Sequence, residues 1–257
     1  MLEIQFGQSS AHAMVKTRNG NATGVFIPYS RNQAQSHGYL FALADGAGAH
    51  EQDEAAATTA IAALTAEFEQ ADPGTMLISL LPQLIQAANA ALRRGQTNGQ
   101  NGRQLTTTMV ACALRNDQAI VSHVGHSRCY LVRDRAARQV TQDHESEFTQ
   151  GLSEPDHLTN GLRAARLSAL GTSSFISPDT TALTVIPGDV LVLSTDGVHQ
   201  GVGCERMADI VSQPKTADEM ARELVATAMS GDGQRDATAL VIRVRAVHPT
   251  GFRRAMT

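Results

Sequence analysis

A single-domain α+β sandwich is the fold that this sequence predicts, on three observations. Short β-branched or apolar runs recur along the chain, and two long one-faced helical stretches fall together between the second and third of them. Nothing reads as a linker or an internal repeat across the 257 residues. The order of strand, strand, helix, helix, then more strands and a late helix suits layered packing. It lacks the steady βαβα rhythm of a doubly wound sheet. No G-x-G-x-x-G opens a helix, so dinucleotide and P-loop readings start weak.

Strands are expected at residues 24–28, 39–44, 107–114, 119–125, 129–133, 190–194 and 238–245. The first helix, 53–70, places Ala60, Ile61, Leu64 and Phe68 on one face. After the Asp72-Pro73-Gly74 break, 76–94 repeats the pattern with Leu80, Leu81, Leu84, Ile85, Ala88 and Leu92. Residues 96–104 are a polar Gly/Asn-rich loop, and a helical piece is expected around 162–170. The last helix, 217–230, has Thr216 as N-cap, Glu219 at the capping-box position and Gly231 after its end. One domain, 1–246, followed by a polar, basic tail, 247–257, is the expected organisation.

The chain is 42% hydrophobic and 18% charged, enough apolar matter for a core and too few charges for a disordered chain. Its 21 basic and 25 acidic residues leave a net charge of −4, which argues against nucleic-acid binding through a general basic surface. With no Trp and 4% aromatics there is little to stack bases on. Cys112, Cys129 and Cys204 are too few and too scattered for a disulfide framework or a C-x-x-C zinc site. The opening residues lack a signal pattern, and no apolar run reaches the roughly 20 residues of a membrane helix. A cytoplasmic monomer with no nucleic-acid or membrane partner is the expectation.

Two Asp-Gly steps directly follow apolar strands: Asp45-Gly46 after Tyr39–Ala44, and Asp196-Gly197 after Val190-Leu191-Val192-Leu193-Ser194-Thr195. A carboxylate at the end of a buried strand is held rigidly, and an adjacent glycine lets backbone approach a cation. Asp236 stands in the same context before the last strand. Converging, the three carboxylates would make a hard-cation site for Mg²⁺ or Mn²⁺. Taken singly, each Asp-Gly reads as a turn.

In combination, these residues resemble the protein phosphatase 2C (metal-dependent PPM) family. Asp45-Gly46-Ala47-Gly48-Ala49-His50, followed by Glu54-Ala55-Ala56, is similar to its D-G-x-G-x-H…G-E-A motif. In family order follow Leu105-Thr106-Thr107-Thr108-Met109, Val124-Gly125-His126-Ser127-Arg128-Cys129-Tyr130-Leu131 and Val140-Thr141-Gln142-Asp143-His144. Then come Ala169-Leu170-Gly171, the run Pro187-Gly188-Asp189 through Asp196-Gly197-Val198, and Asp236-Ala237-Thr238. The resemblance covers nearly the whole chain and implies a four-layer α-β-β-α sandwich. It also implies a Mn²⁺- or Mg²⁺-dependent protein serine/threonine phosphatase that hydrolyses phosphoserine and phosphothreonine with a metal-activated water. Asp45 and Asp196 would be catalytic and metal-binding, with the Gly46 carbonyl, Asp236 and Asn21 as further metal ligands and Arg18 orienting the phosphate. A phosphorylated protein substrate and a cognate Ser/Thr kinase are the implied partners.

The departures from the family pattern point the other way. Where the family opens with R-x-x-N-E/Q-D, this chain has Lys16-Thr17-Arg18-Asn19-Gly20-Asn21-Ala22. One register puts Asn21 at the acid position with Lys16 as the arginine. The other keeps Arg18 and leaves Ala22 and Thr23 at the acidic positions. His126 replaces the acid of G-D-S-R, either as a ligand better suited to Zn or Mn or as a plain turn residue. At the closing motif Arg235 stands where a ligand belongs, unless a one-residue deletion brings Asp236 there. One ion is expected and a second is doubtful, which leaves a binding protein without turnover as the alternative. His50 reads as a loop histidine before a general acid, Asp143-His144 as a structural step, and a zinc site at His199 and Cys204 as remote.

Overall fold

The computed structural model describes residues 2–46, 52–97, 105–144, 169–231 and 233–248. One antiparallel sheet is built from β2 (Asn21–Phe26), β3 (Tyr39–Gly46), β4 (Thr107–Arg115), β5 (Gln118–Val124) and β8 (Asp179–Thr184), in that spatial order. The other runs β1 (Leu2–Ala11), β10 (Ala237–Val247), β9 (Val190–Ser194), β6 (Arg128–Arg133) and β7 (Ala136–Gln139). Helices α2 (Gln52–Gln70) and α3 (Leu77–Thr97) cover the first sheet; α4 (Asp196–Val202), α5 (Cys204–Val211) and α6 (Ala217–Met229) cover the second. A short α1 (Arg31–Ser36) links β2 to β3.

Strand alternation explains the four layers. In β3, Phe41 and Leu43 point into the gap between the sheets and meet Val110, Cys112, Leu191, Leu193, Leu240 and Ile242, all fully buried. The intervening Leu40, Ala42 and Ala44 face outward onto Ala57, Ala60 and Leu64 of α2 and onto α3. On the far side Val190, Val192, Ala239 and Val241 pack beneath Met207, Met220, Ala221 and Leu224. Strands covered on both faces must be apolar throughout, which is why β3, β4 and β9 read as continuous hydrophobic runs.

Each of the seven expected strands has a counterpart, and so have the three long helices. The capping box holds: Thr216 Oγ1 accepts the Glu219 N–H at 3.3 Å, and Glu219 Oε2 accepts the Thr216 N–H at 2.8 Å. Sequence reading missed β1, β7 and β8, all sheet-edge strands with half-polar sequences, and α1, α4 and α5, each too short to show a period. Leu170 forms a bridge with Thr107 rather than ending a helix, and 162–168 lie outside the described residues. So do the 98–104 part of the polar loop and the tail beyond 248.

Candidate active site

One end of the sandwich collects the ends of β2, β3, β9 and β10. In the first sheet Asn21 stands opposite Asp45, and Asp45 opposite Thr108. Directly opposed residues share a face. Asp45 lies two residues beyond Leu43 and so faces the same inter-sheet gap, at its open end, only 9% exposed. Thr107 Oγ1 donates to the Asp45 carbonyl at 2.9 Å and the Gly46 N–H donates to the Gly20 carbonyl at 3.2 Å, which fixes the strand end. Asn21 reaches across the gap: its Nδ2 donates to Thr238 Oγ1 of β10 at 2.9 Å. Its Oδ1 is buried and has no hydrogen-bond partner among the described residues. Ala22 pairs with Ala44 and packs against the helical layer, so it is Asn21 that shares the face of Asp45.

The second sheet brings different chemistry. Asp196 opens α4, and the guanidinium of Arg235 pairs with its Oδ2. Arg235 is 53% exposed along its side chain while Asp196 is 15% exposed, so the cation covers the acid. Asp236 turns elsewhere. Its Oδ1 accepts the Ala13 N–H at 2.8 Å, and its Oδ2 accepts the Gly20 N–H at 2.8 Å and Lys16 Nζ at 2.9 Å. Burial alone would raise this carboxyl, but the two N–H groups and the lysine outweigh it and hold it below the usual carboxylate range. Gly197 is needed here for packing: a Cβ would lie 2.3 Å from the Asp236 carbonyl oxygen. Among the described residues, Asp45, Asp196 and Asp236 do not gather into a three-donor cluster.

Arg18 is 69% exposed and lies 3.7 Å from Glu54, whereas Lys16 pairs with the buried Asp236. His126 sits in the turn between β5 and β6 with its Nδ1 buried and without a hydrogen-bond partner among the described residues. His50 lies outside the described residues. His199 is buried in α4, its Nδ1 3.4 Å from Ser194 Oγ, while Cys204 is exposed. Burial first, then the positive charge of Arg128, pushes the His199 imidazole down to about 4, against the partial counterweight of Asp196 and Asp143. Arg128 itself grips Asp143 with two bonds of 2.8 and 2.7 Å, so the arginine of Gly125-His126-Ser127-Arg128 is a structural clamp.

The protein phosphatase 2C family model matches residues 29–231. The chain belongs to the protein phosphatase 2C family. It is 30% identical over 211 residues to the serine/threonine protein phosphatase PstP of Mycobacterium tuberculosis, covering 80% of this chain and 40% of that one. It thus spans well under half the length of PstP. The serine/threonine phosphatase stp of Listeria monocytogenes is 27% identical over 210 residues, with 78% and 82% covered. Among solved structures, the PstP catalytic domain in complex with two manganese ions superposes with a TM-score of 0.76 at 27% identity, covering 95% of this chain and all of that one. The phosphatase Stp1 of Staphylococcus aureus superposes at 0.79 and 23% identity, with 96% of each chain covered, a likeness of fold.

The two halves of the site differ in their fit to the family's metals. A buried Asn21 oxygen with no hydrogen-bond partner among the described residues, on the same face as the Asp45 carboxylate, is a neutral cation donor that suits one Mn²⁺ or Mg²⁺. Arg235 on Asp196 does not suit a second divalent ion, because the guanidinium holds permanent positive charge against the carboxylate that would ligate it.

Proposed function

We propose that this protein is a metal-dependent protein serine/threonine phosphatase that works with a reduced ion complement. The observation that carries the reading is the row Asn21–Asp45 at the open sheet end, with one buried oxygen that has no donor among the described residues. Asp45, Asn21 and the Gly46 carbonyl would hold one Mn²⁺ or Mg²⁺. When bound, such an ion polarises phosphoryl oxygens and lowers the pKa of a coordinated water.

The remaining work falls to side chains. Thr238 holds the Asn21 amide by its nitrogen and so aims the oxygen. Arg235 spends one nitrogen on Asp196 and keeps other N–H donors on its solvent side, where they can take the equatorial oxygens of a phosphomonoester. In this role it replaces with a guanidinium part of the positive charge that the manganese pair supplies in PstP. Phosphoserine and phosphothreonine proteins are the substrate class, in keeping with the Ser/Thr phosphatases of similar sequence, and a cognate Ser/Thr kinase is the implied counterpart. The free cysteines fit a cytoplasmic setting. Among the described residues no helix is long and apolar enough to cross a membrane.

The Arg235–Asp196 pair also favours a second reading, in which the site binds a phosphorylated partner without turning it over. Hydrolysis of para-nitrophenyl phosphate and of a phosphothreonine peptide, with and without Mn²⁺, separates the two. Turnover that needs Mn²⁺ and disappears in an Asp45→Asn, Asp196→Asn double variant supports the enzyme. Folded protein with no activity above that variant for any divalent ion leaves the binding protein.

A further inference from the structure

A second cluster of metal-ligating side chains lies away from this site. His123 in β5, His144 in the segment after β7 and Asp179 at the start of β8 bring one donor atom each to within 4.8 Å of one another. We propose that these three residues form a binding site for a zinc-class divalent ion that fastens the edge strand β8 to the body of the sheet. The inference stands independently of the proposed phosphatase activity.

The register builds the cluster. His123 is the direct cross-strand partner of Asp179, so their side chains share a face. Across the same row, Leu43 pairs with Val110 and Val110 with His123, which puts His123 two strands from β3 and one row in from Asp45. At strand spacing that separation is on the order of 10 Å, too far for a shared ion.

The donors are already oriented. His123 Nε2 lies 2.7 Å from the Gln142 carbonyl. A proton shared with that carbonyl leaves the lone pair on Nδ1, the arrangement by which metal-binding imidazoles are held. His144 is pinned from two sides: its N–H donates to the Gly125 carbonyl at 3.2 Å, and the neighbouring Asp143 is clamped by Arg128. The His144 Nε2 is buried and makes no hydrogen bond among the described residues, although Asp179 Oδ2 is 3.3 Å away, close enough for an ion pair but out of line for a bond. The two imidazole rings sit 4.7 Å apart between centroids, and Asp179 Oδ2 lies within ion-pair distance of His144. Asp179 itself is 62% exposed and opens the cluster to solvent, leaving room for a water as fourth ligand.

Two imidazoles and one carboxylate are a borderline donor set, suited to Zn²⁺ over Mg²⁺. The structural need is visible in β8. Its side chains are exposed or half-exposed throughout and, among the described residues, it pairs with a strand on one side only, so little apolar burial beyond Leu183 secures it.

The test is Zn²⁺ binding to the full chain by equilibrium dialysis, with thermal unfolding followed in parallel. All proteins carry Asp45→Asn, Asp196→Asn and Cys204→Ser, to silence the other site and the exposed thiol. This background is expected to keep one Zn²⁺ per chain and to unfold at a higher temperature with zinc present. Adding His144→Ala or Asp179→Ala, both at positions outside the apolar core, is expected to weaken zinc binding by at least about tenfold and to abolish the thermal shift. Absence of zinc from the background, or its retention in either added variant, overturns the proposal.

Discussion

The two sheets end at the same opening, and they treat positive charge in opposite ways. On the β2–β3–β4 side an acid and an amide oxygen stand together, Asp45 beside Asn21, and the amide oxygen has no hydrogen-bond partner among the described residues. On the β9–β10 side the acids have been answered from within: Arg235 covers Asp196, and Asp236 is filled by Ala13, Gly20 and Lys16. A carboxylate in a family motif is therefore not a metal ligand by position alone. What decides is whether the chain also supplies its donors. Here the acids on the β9–β10 half of the opening are written as ion pairs within the chain.

That contrast can be broken most forcefully at the two buried acids. Asp236→Ala removes the acceptor of two buried N–H groups and a lysine, and is expected to cost about 3 kcal/mol of stability in denaturant unfolding. Asp45→Asn is expected to change stability by less than about 1 kcal/mol while removing Mn²⁺-dependent phosphopeptide turnover. Equal stability losses from the two would show that Asp45 is structural as well.

The rewritten half is also expected to show in acid. The His199 ring is neutral in the fold down to about 4, whereas in the unfolded chain it takes up its proton near its ordinary 6.5. Its contribution is complete above about pH 6.5 and is lost as pH falls towards 4, by roughly 3 kcal/mol in all. A further fall below the ordinary carboxylate range then belongs to Asp236 and Asp143, whose folded values are both depressed. Urea unfolding across this range checks it, and a His199→Asn variant is expected to lose the upper step and keep the lower one. At the small end, Arg18→Ala is expected to change turnover by less than about threefold, because its side chain is 69% exposed beside Glu54. A loss of tenfold or more would make Arg18 a phosphate ligand after all.

Much of the fold was legible because doubly covered strands leave unbroken apolar runs, as in Leu40-Phe41-Ala42-Leu43-Ala44 and Val190-Leu191-Val192-Leu193. The edge strand β8, Asp179–Thr184, leaves no such trace, and without it the pairing of His123 with Asp179 was invisible. In the site, Asp45 and Asp196 could be found as acids ending buried strands. That Arg235 could stand where a ligand belongs was one of two alternatives that the closing motif allowed, but its pairing with Asp196 was not legible. The partners of Asp236 were not legible, since two are backbone N–H groups and the third, Lys16, lies 220 residues away in sequence.

Replacing Arg235 tests the account most directly. Titration calorimetry of Mn²⁺ into the native protein and into Arg235→Asp, at equal pH and salt, compares the two halves in one experiment. The expected result is one Mn²⁺ at the Asp45 half of the native opening and a second in the variant, bound there at least about tenfold more tightly than in the native chain. Two tightly bound ions at the native opening, or identical titrations for the two proteins, would contradict it.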